Sequence, residues 1–196
     1  MWQFHSTNGE KMKTVGIVVS VLVVELILMV IFVYSGIYNV STMSPDPGFL
    51  RWVFSKTSDN SAIHHSEGIA VPSLADSAMV AEGFHHYNET CAGCHGAPGV
   101  QRSEIGEGLY PHPPDLARSA KHQSPARLFW VVKNGIKSTG MPGFGRTHSD
   151  QKIWEIVAFL EKMKNMTPGQ YATMRAAAMS EKSMNKETSG HNRRKM

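Results

Sequence analysis

Cysteine is the scarcest chemistry-bearing residue in this sequence. Two occur in 196 residues, Cys91 and Cys94, and because both fall in one short motif nothing remains for a disulfide framework. A structural zinc site asks for about four ligands, commonly as two Cys-x-x-Cys or Cys/His pairs, and there is no second pair. The βαβ pattern that surrounds a thioredoxin-like Cys-x-x-Cys is also missing. A surplus of one charge is lacking as well. The net charge is only +4, residues 75–163 are close to balanced, and much of the excess sits at Lys182, Lys186, Arg193, Arg194 and Lys195. With no basic stripe interleaved with aromatics inside a folded segment, nucleic acid is not an expected partner. The charged, polar terminus reads as a solvated one.

What the sequence does have begins with a long apolar run, residues 15–38, broken only by small or weakly polar residues and by Glu25. As a helix it would extend roughly 36 Å at about 1.5 Å per residue, enough to cross a hydrocarbon core of ~30 Å. A cleavable signal peptide has an apolar region of about 7–15 residues ending in a small-x-small site. This run is too long to match, and Ser35-Gly36 is the one weak candidate for a cleavage site. The reading is therefore an uncleaved signal anchor. Lys11 and Lys13 precede the span and favour a cytoplasmic N-terminus, although Arg51 and Lys56 lie beyond it. Glu25 sits near mid-span, where an ionisable side chain costs about 2.5–3.5 kcal/mol or more. Either it faces a polar group on another membrane subunit or a proton path, or it is a protonated acid tolerated in a very apolar helix. The first alternative predicts a transmembrane partner.

Residues 39–74 are dense in Pro, Ser and Asp, with Ser41, Ser44, Pro45, Asp46 and Pro47 and then Ser58-Asp59-Asn60-Ser61. That composition reads as a linker with turns. Within it Phe49-Leu50-Arg51-Trp52-Val53-Phe54 groups bulky apolar residues around a basic one. A short interfacial helix with Trp52 at headgroup level is one reading, and docking against a partner is the equal alternative. His64-His65 lack a Cys or carboxylate at ligand spacing and do not read as a metal site.

The chemistry concentrates in Cys91-Ala92-Gly93-Cys94-His95. Cysteines three apart at a helix end project to the same side, so both can form thioether bonds to one porphyrin, and the adjacent His then lies under the iron as an axial ligand. A free dithiol outside the cytoplasm would instead tend to oxidise to a short, strained disulfide. Covalent haem attachment is thus the reading, and because haem c is attached on the outer side of a bacterial membrane, the domain is expected in the periplasm.

The surroundings read as helical. Asp76 is placed to cap a helix running through about Glu89, with Val80, Phe84 and Tyr87 on one face and Gly83 permitting a close helix crossing. Ser149 or Asp150 is placed to cap a second amphipathic helix carrying Ile153, Trp154, Ile156, Val157, Phe159, Leu160 and Met163, and the two helices are expected to pack together. Pro125–Asn134 forms a shorter helical pattern with Leu128, Phe129, Val131 and Val132 turned inward. The Gly- and Pro-rich remainder is loop, which a haem can organise by supplying core to a short chain.

The run Tyr87-x-x-x-Cys91-x-x-Cys94-His95, then Pro113-Pro114-Asp115-Leu116, then Gly140-Met141-Pro142-Gly143-Phe144-Gly145, then Ile153-Trp154 and Val157-Ala158-Phe159-Leu160 resembles a class I monohaem cytochrome c, in particular the bacterial membrane-anchored members. The resemblance is strong over about residues 75–166 and looser outside them. It implies an all-α fold: a class I cytochrome c haem domain preceded by a single N-terminal transmembrane helix. It also implies thioether attachment at Cys91 and Cys94, axial ligation by His95 and by the sulfur of Met141, a Pro114 carbonyl facing the far nitrogen of His95, and Leu116 packed on the ring. The predicted organisation is a cytoplasmic N-terminus at 1–13, a transmembrane anchor at 14–38, a periplasmic linker at 39–74, the cytochrome domain at 75–166 and a polar, flexible tail at 167–196.

Met141 is one of twelve methionines, and a Met is more often packing than ligand. Met79 and Met163 fall on helical core faces, and Met174, Met179, Met184 and Met196 fall in the tail. Met141 differs in sitting between Gly140 and Pro142 in a loop far enough from His95 to fold over the opposite haem face. His112, His122 and His148 are the competitors, while His85 and His86 read as ordinary surface residues. If His95 and Met141 both bind iron, no position is left for oxygen, peroxide or substrate, and one-electron transfer remains. Met/His ligation raises the potential, suiting a quinol-oxidising complex or dehydrogenase as donor and a terminal oxidase or reductase as acceptor. Lys133, Lys137 and Arg146 bracket the Met141 loop and would steer an acidic partner. The alternative is a haem-based sensor or small peroxidase with a labile Met141 bond.

Overall fold

A computed structural model describes the backbone over residues 7–193, with the side chains of Thr7 and Asn8 and those beyond Ser180 left out of the description. Every regular element among the described residues is helical, and no strand forms; Ala97 and Val100 make an isolated bridge. The chain divides into two compact units, Met1–Ser44 and Pro45–Met196.

The first unit is a single helix, α1 (Thr7–Ser35). Its stretch Gly9–Ser35 is 27 residues long, roughly 40 Å at 1.5 Å per residue, with a best-window mean hydropathy of 3.0. It is thus long and apolar enough to cross a membrane, and its apolar side chains are exposed all round, as a helix solvated by lipid on every side requires. This makes α1 a candidate membrane anchor. The helix stops three residues short of the predicted Tyr38, because Gly36 takes the left-handed φ of +65° and the Ser35 hydroxyl, donating to Phe32 O at 2.7 Å, accepts Ile37 N–H at 3.2 Å.

The second unit opens with α2 (Gly48–Ser66). Residues 58–61, read from the sequence as part of a turn-rich linker, lie inside this helix. Tertiary partners override their composition: Arg127 donates to Asp59 at 2.7 Å, the His65 ring stacks on Trp130 at 5.5 Å, and Ala62 and Ser66 are buried. Helices within a folded protein gain most of their stability from such contacts.

The core of the second unit is built by α3 (Ser77–His86), α7 (Pro125–Asn134) and α8 (Asp150–Met163). Asp76 caps α3 by accepting from Ala78 N–H at 2.9 Å, Ser124 caps α7, and Ser149 rather than Asp150 caps α8, accepting from Lys152 N–H at 3.3 Å. The face of α8 carrying Ile153, Val157, Phe159, Leu160 and Met163 is essentially dry, each side chain worth roughly 1.5–3 kcal/mol of burial. α3 crosses α8 at Gly83, where a Cβ would overlap the Glu155 carbonyl. Only glycine permits this approach, and it lets Phe84 and Tyr87 meet Phe159 at ring distances of 5.4 and 5.2 Å.

The same close crossing corrects the reading of His86 as a surface residue. Its Nε2 lies 3.8 Å from Glu155 Oε2, with the two side chains only 19% and 15% exposed, and its ring meets that of His148 at 5.8 Å. The segment read as a polar tail is helical from Pro168 to Arg193, forming α9. Its Tyr171 is 1% exposed within the core cluster and donates to Asn88 at 3.2 Å. Lys182, Lys186, Met184 and the basic residues near the end lie outside the described side chains.

Candidate haem site

Two irregularities of the backbone carry the Cys-x-x-Cys-His motif. After His86 the helix widens into a π turn, Tyr87–Cys91, so the predicted run through Glu89 is helical but not all α. The extra residue per turn resets the face on which Cys91 emerges, a device that recurs at functional sites. The short helix α4 (Ala92–His95) follows and ends at Gly96, whose φ of +68° turns the chain back so that Ala97 N–H and Val100 O meet at 3.0 Å.

The motif is held from both sides. Tyr87 Oη donates to Gly96 O at 2.6 Å within the core, where burial raises the phenol far above its ordinary value. Ser103, which caps α5 (Glu104–Gly108), donates to Gly93 O through both its backbone N–H at 2.8 Å and its hydroxyl at 2.9 Å. Neither Tyr87 as a hydrogen-bond donor nor Ser103 was foreseen in the sequence; a lone Ser ten residues from its partner gives no pattern.

Cys91 is buried and Cys94 half-buried, and neither forms a disulfide. Burial pushes the free Cys91 thiol up to about 11, against a lowering hydrogen bond from Thr90, so before any attachment it is a neutral thiol at physiological pH. His95 Nδ1 lies 2.8 Å from Pro114 O. Burial holds the imidazole below its ordinary value, opposed by the Pro114 bond and reinforced by the Arg102 charge, which keeps it in the neutral, ligating form. Leu116 opens α6 (Leu116–Ser119) and packs half-buried against the core, with Asp115 accepting from Ala117 N–H at 3.0 Å to set the turn.

Met141 lies in the loop between α7 and the 3-10 turn Phe144–Arg146. It too packs half-buried against the core. Its carbonyl accepts from Ile136 N–H at 3.2 Å and its N–H donates to Thr139 Oγ1 at 3.1 Å. Gly135, with φ +69°, closes this loop so tightly that a Cβ there would sit 2.7 Å from Met141 O. Of the competing histidines, His112 and His122 are exposed, and His148 is engaged with Thr147 Oγ1 at 2.8 Å and with the Phe144 ring. Lys133, foreseen as a steering charge, pairs with Asp150 at 2.7 Å, whereas Lys137 and Arg146 are exposed.

This donor set fits a covalently bound haem. Two thiols and an oriented imidazole stand on one turn, and a thioether stands in a second loop against the same core. Arg102 adds a further sign: its Nε is buried with no hydrogen-bond partner among the described residues, leaving a donor for an acidic group such as a porphyrin carries. Helices, attachment motif and imidazole–carbonyl pair together define a c-type cytochrome domain. Residues 78–160 match the family model of cytochrome c oxidase, cbb3-type, subunit III. Residues 78–160 are accordingly a c-type cytochrome domain, a kind that carries covalently attached haem c with its iron and whose chemistry suggests electron transfer. No curated protein matches the chain. Among solved structures, a chain of the Kuenenia stuttgartiensis reducing HAO-like protein complex aligns at 18% identity and a TM-score of 0.35. The alignment covers 47% of this chain and 49% of that one, so the chain spans about half the length of that relative.

Proposed function

We propose that this protein is a membrane-anchored, single-haem electron carrier working on the periplasmic side of a bacterial inner membrane, as a subunit or close partner of a respiratory complex. One observation carries the reading: His95, tied by Nδ1 to Pro114 O at 2.8 Å, and Met141, in a loop packed on the same core, are both available as axial ligands. With both taken, no coordination position remains for a substrate. Bound there, haem iron supplies a reversible one-electron couple whose potential Met/His ligation raises.

The chain's own residues do the rest. Cys91 and Cys94 attach the group, the Pro114 carbonyl fixes the imidazole and its basicity, Leu116 adds apolar cover, and the 135–141 turn holds the Met141 thioether in place. Exposed Lys137 and Arg146 flank that loop and steer an acidic redox partner. A quinol-oxidising complex or dehydrogenase suits the donor role, and a terminal oxidase or reductase the acceptor role. The match to an oxidase subunit model supports work within a complex. In the anchor, Glu25 would meet a polar group on a neighbouring transmembrane subunit, which offsets the cost of an acid at that depth.

The test is carbon monoxide binding. The ferrous protein at neutral pH should not bind carbon monoxide readily, whereas ready binding would favour a sensor or small peroxidase with a labile Met141 bond.

A further inference from the structure

Helix α2 is amphipathic in the reverse of the usual sense. At about 100° per residue, positions 58, 62 and 66 lie on one face and positions 49, 52, 56, 60 and 63 on the other. The inward face holds Ser58, Ala62 and Ser66, small or polar side chains that are half-buried or buried. Asp59 is paired with Arg127 at 2.7 Å and His65 is stacked on Trp130 with ring planes 10° apart, so the helix cannot roll to bury its other side. That other side presents Phe49, Trp52 and Ile63 at 69%, 59% and 48% exposure, with Phe49 and Trp52 stacked at 6.1 Å.

We infer that this outward face of α2 is a docking surface for an anionic lipid bilayer. Charge selects the occupant. The charged residues of α2 before Asp59 are Arg51 and Lys56, both exposed, with no acid among them, and Lys56 lies within the aromatic face. Tryptophan beside basic residues suits the headgroup boundary of an acidic membrane. Chain length points the same way. Residues 36–47 join α1 to α2, a link that spans at most roughly 40 Å when extended, so an anchored chain delivers α2 to the bilayer surface at high effective concentration. The inference rests on the reading of α1 as a membrane anchor. Its consequence is a haem domain held at the surface by a second contact rather than swinging on a single tether.

The test uses full-length holoprotein in phosphatidylcholine nanodiscs with and without phosphatidylglycerol, and in native membranes. The photoreactive residue p-benzoylphenylalanine replaces Phe49, and in separate preparations Leu22 in α1 or exposed Gln151 on α8. Phe49 probes should form lipid adducts and Gln151 probes should not. Adduct yield at position 49 should fall at least roughly fivefold when phosphatidylglycerol is omitted or when Arg51→Glu and Lys56→Glu are combined. Adducts to another protein in place of lipid, no lipid adducts while the Leu22 probe still labels, or a yield indifferent to lipid charge would each overturn the proposal. Failure of the Leu22 probe as well would overturn the anchor reading itself.

Discussion

The two sides of the haem site are built differently. On the His95 side, residues 87–116, backbone and side chain are tied at several points: Tyr87 to Gly96, Ser103 twice to Gly93, and His95 to Pro114. On the Met141 side the loop closes mainly on itself, through Ile136, Thr139 and Gly135. The attachment side therefore resembles a rigid frame, and the thioether side a loop whose position depends on one tight turn. Covalent attachment at Cys91 and Cys94 would tolerate little error, whereas an axial thioether at Met141 would be a weaker bond that depends on where its loop is held.

The largest expected effect lies on the attachment side. Replacing both Cys91 and Cys94 by Ala should abolish covalent haem, so that acid–acetone extraction strips the chain completely, while the wild type retains one haem per chain. The wild type losing all its haem in that extraction would remove the basis of the comparison. Next comes the opposite side. Met141→Ala should leave the haem attached, lower the midpoint potential and turn a protein that scarcely binds carbon monoxide into one whose ferrous form saturates with it. If His112, His122 or His148 substitution produces those changes and Met141→Ala does not, the distal ligand is histidine, and the loop around Met141 is packing.

The attachment side was also the more legible in the sequence, because thioether chemistry forces its residues into five consecutive positions, and capping by Asp76 and Ser149 depends on immediate neighbours. What stayed hidden depends on residues far apart. Residues 58–61 read as linker because the ion pair that keeps Asp59 in a helix comes from Arg127, 68 positions later. Tyr171 read as tail because a single aromatic in a polar stretch has no period, and only its contacts with Phe84 and Phe159 reveal it as core. The π turn at Tyr87–Cys91 has no compositional signature either, although it sets where Cys91 emerges.

A smaller effect sharpens the contrast in stability. Gly135→Ala would put a Cβ against the backbone of Met141, Pro142 and Gly143 at a residue with φ +69°. The loop should open at a cost of about 1–3 kcal/mol, visible in urea denaturation. Because that loop carries Met141, the same variant should show weak carbon monoxide binding that the parent lacks. A stability loss with an unchanged haem spectrum would mean that the turn and the ligand are not mechanically linked.

The smallest effect is a pH dependence on the Met141 side. His148, against Phe144 and His86, is held below the ordinary imidazole value of 6.5 by burial first and then by the charges of His86 and Lys152. A histidine whose folded value is lowered binds its proton more readily in the unfolded chain. Stability is therefore full above about 6.5 and is lost as pH falls from there through the lowered folded value. His148→Gln removes the titrating group and should flatten this part of the pH profile. Measured by urea denaturation at pH 7.5 and pH 5, the wild type should lose more stability between the two than the variant does. Equal losses would place the acid sensitivity elsewhere and leave the His148 contacts as packing alone.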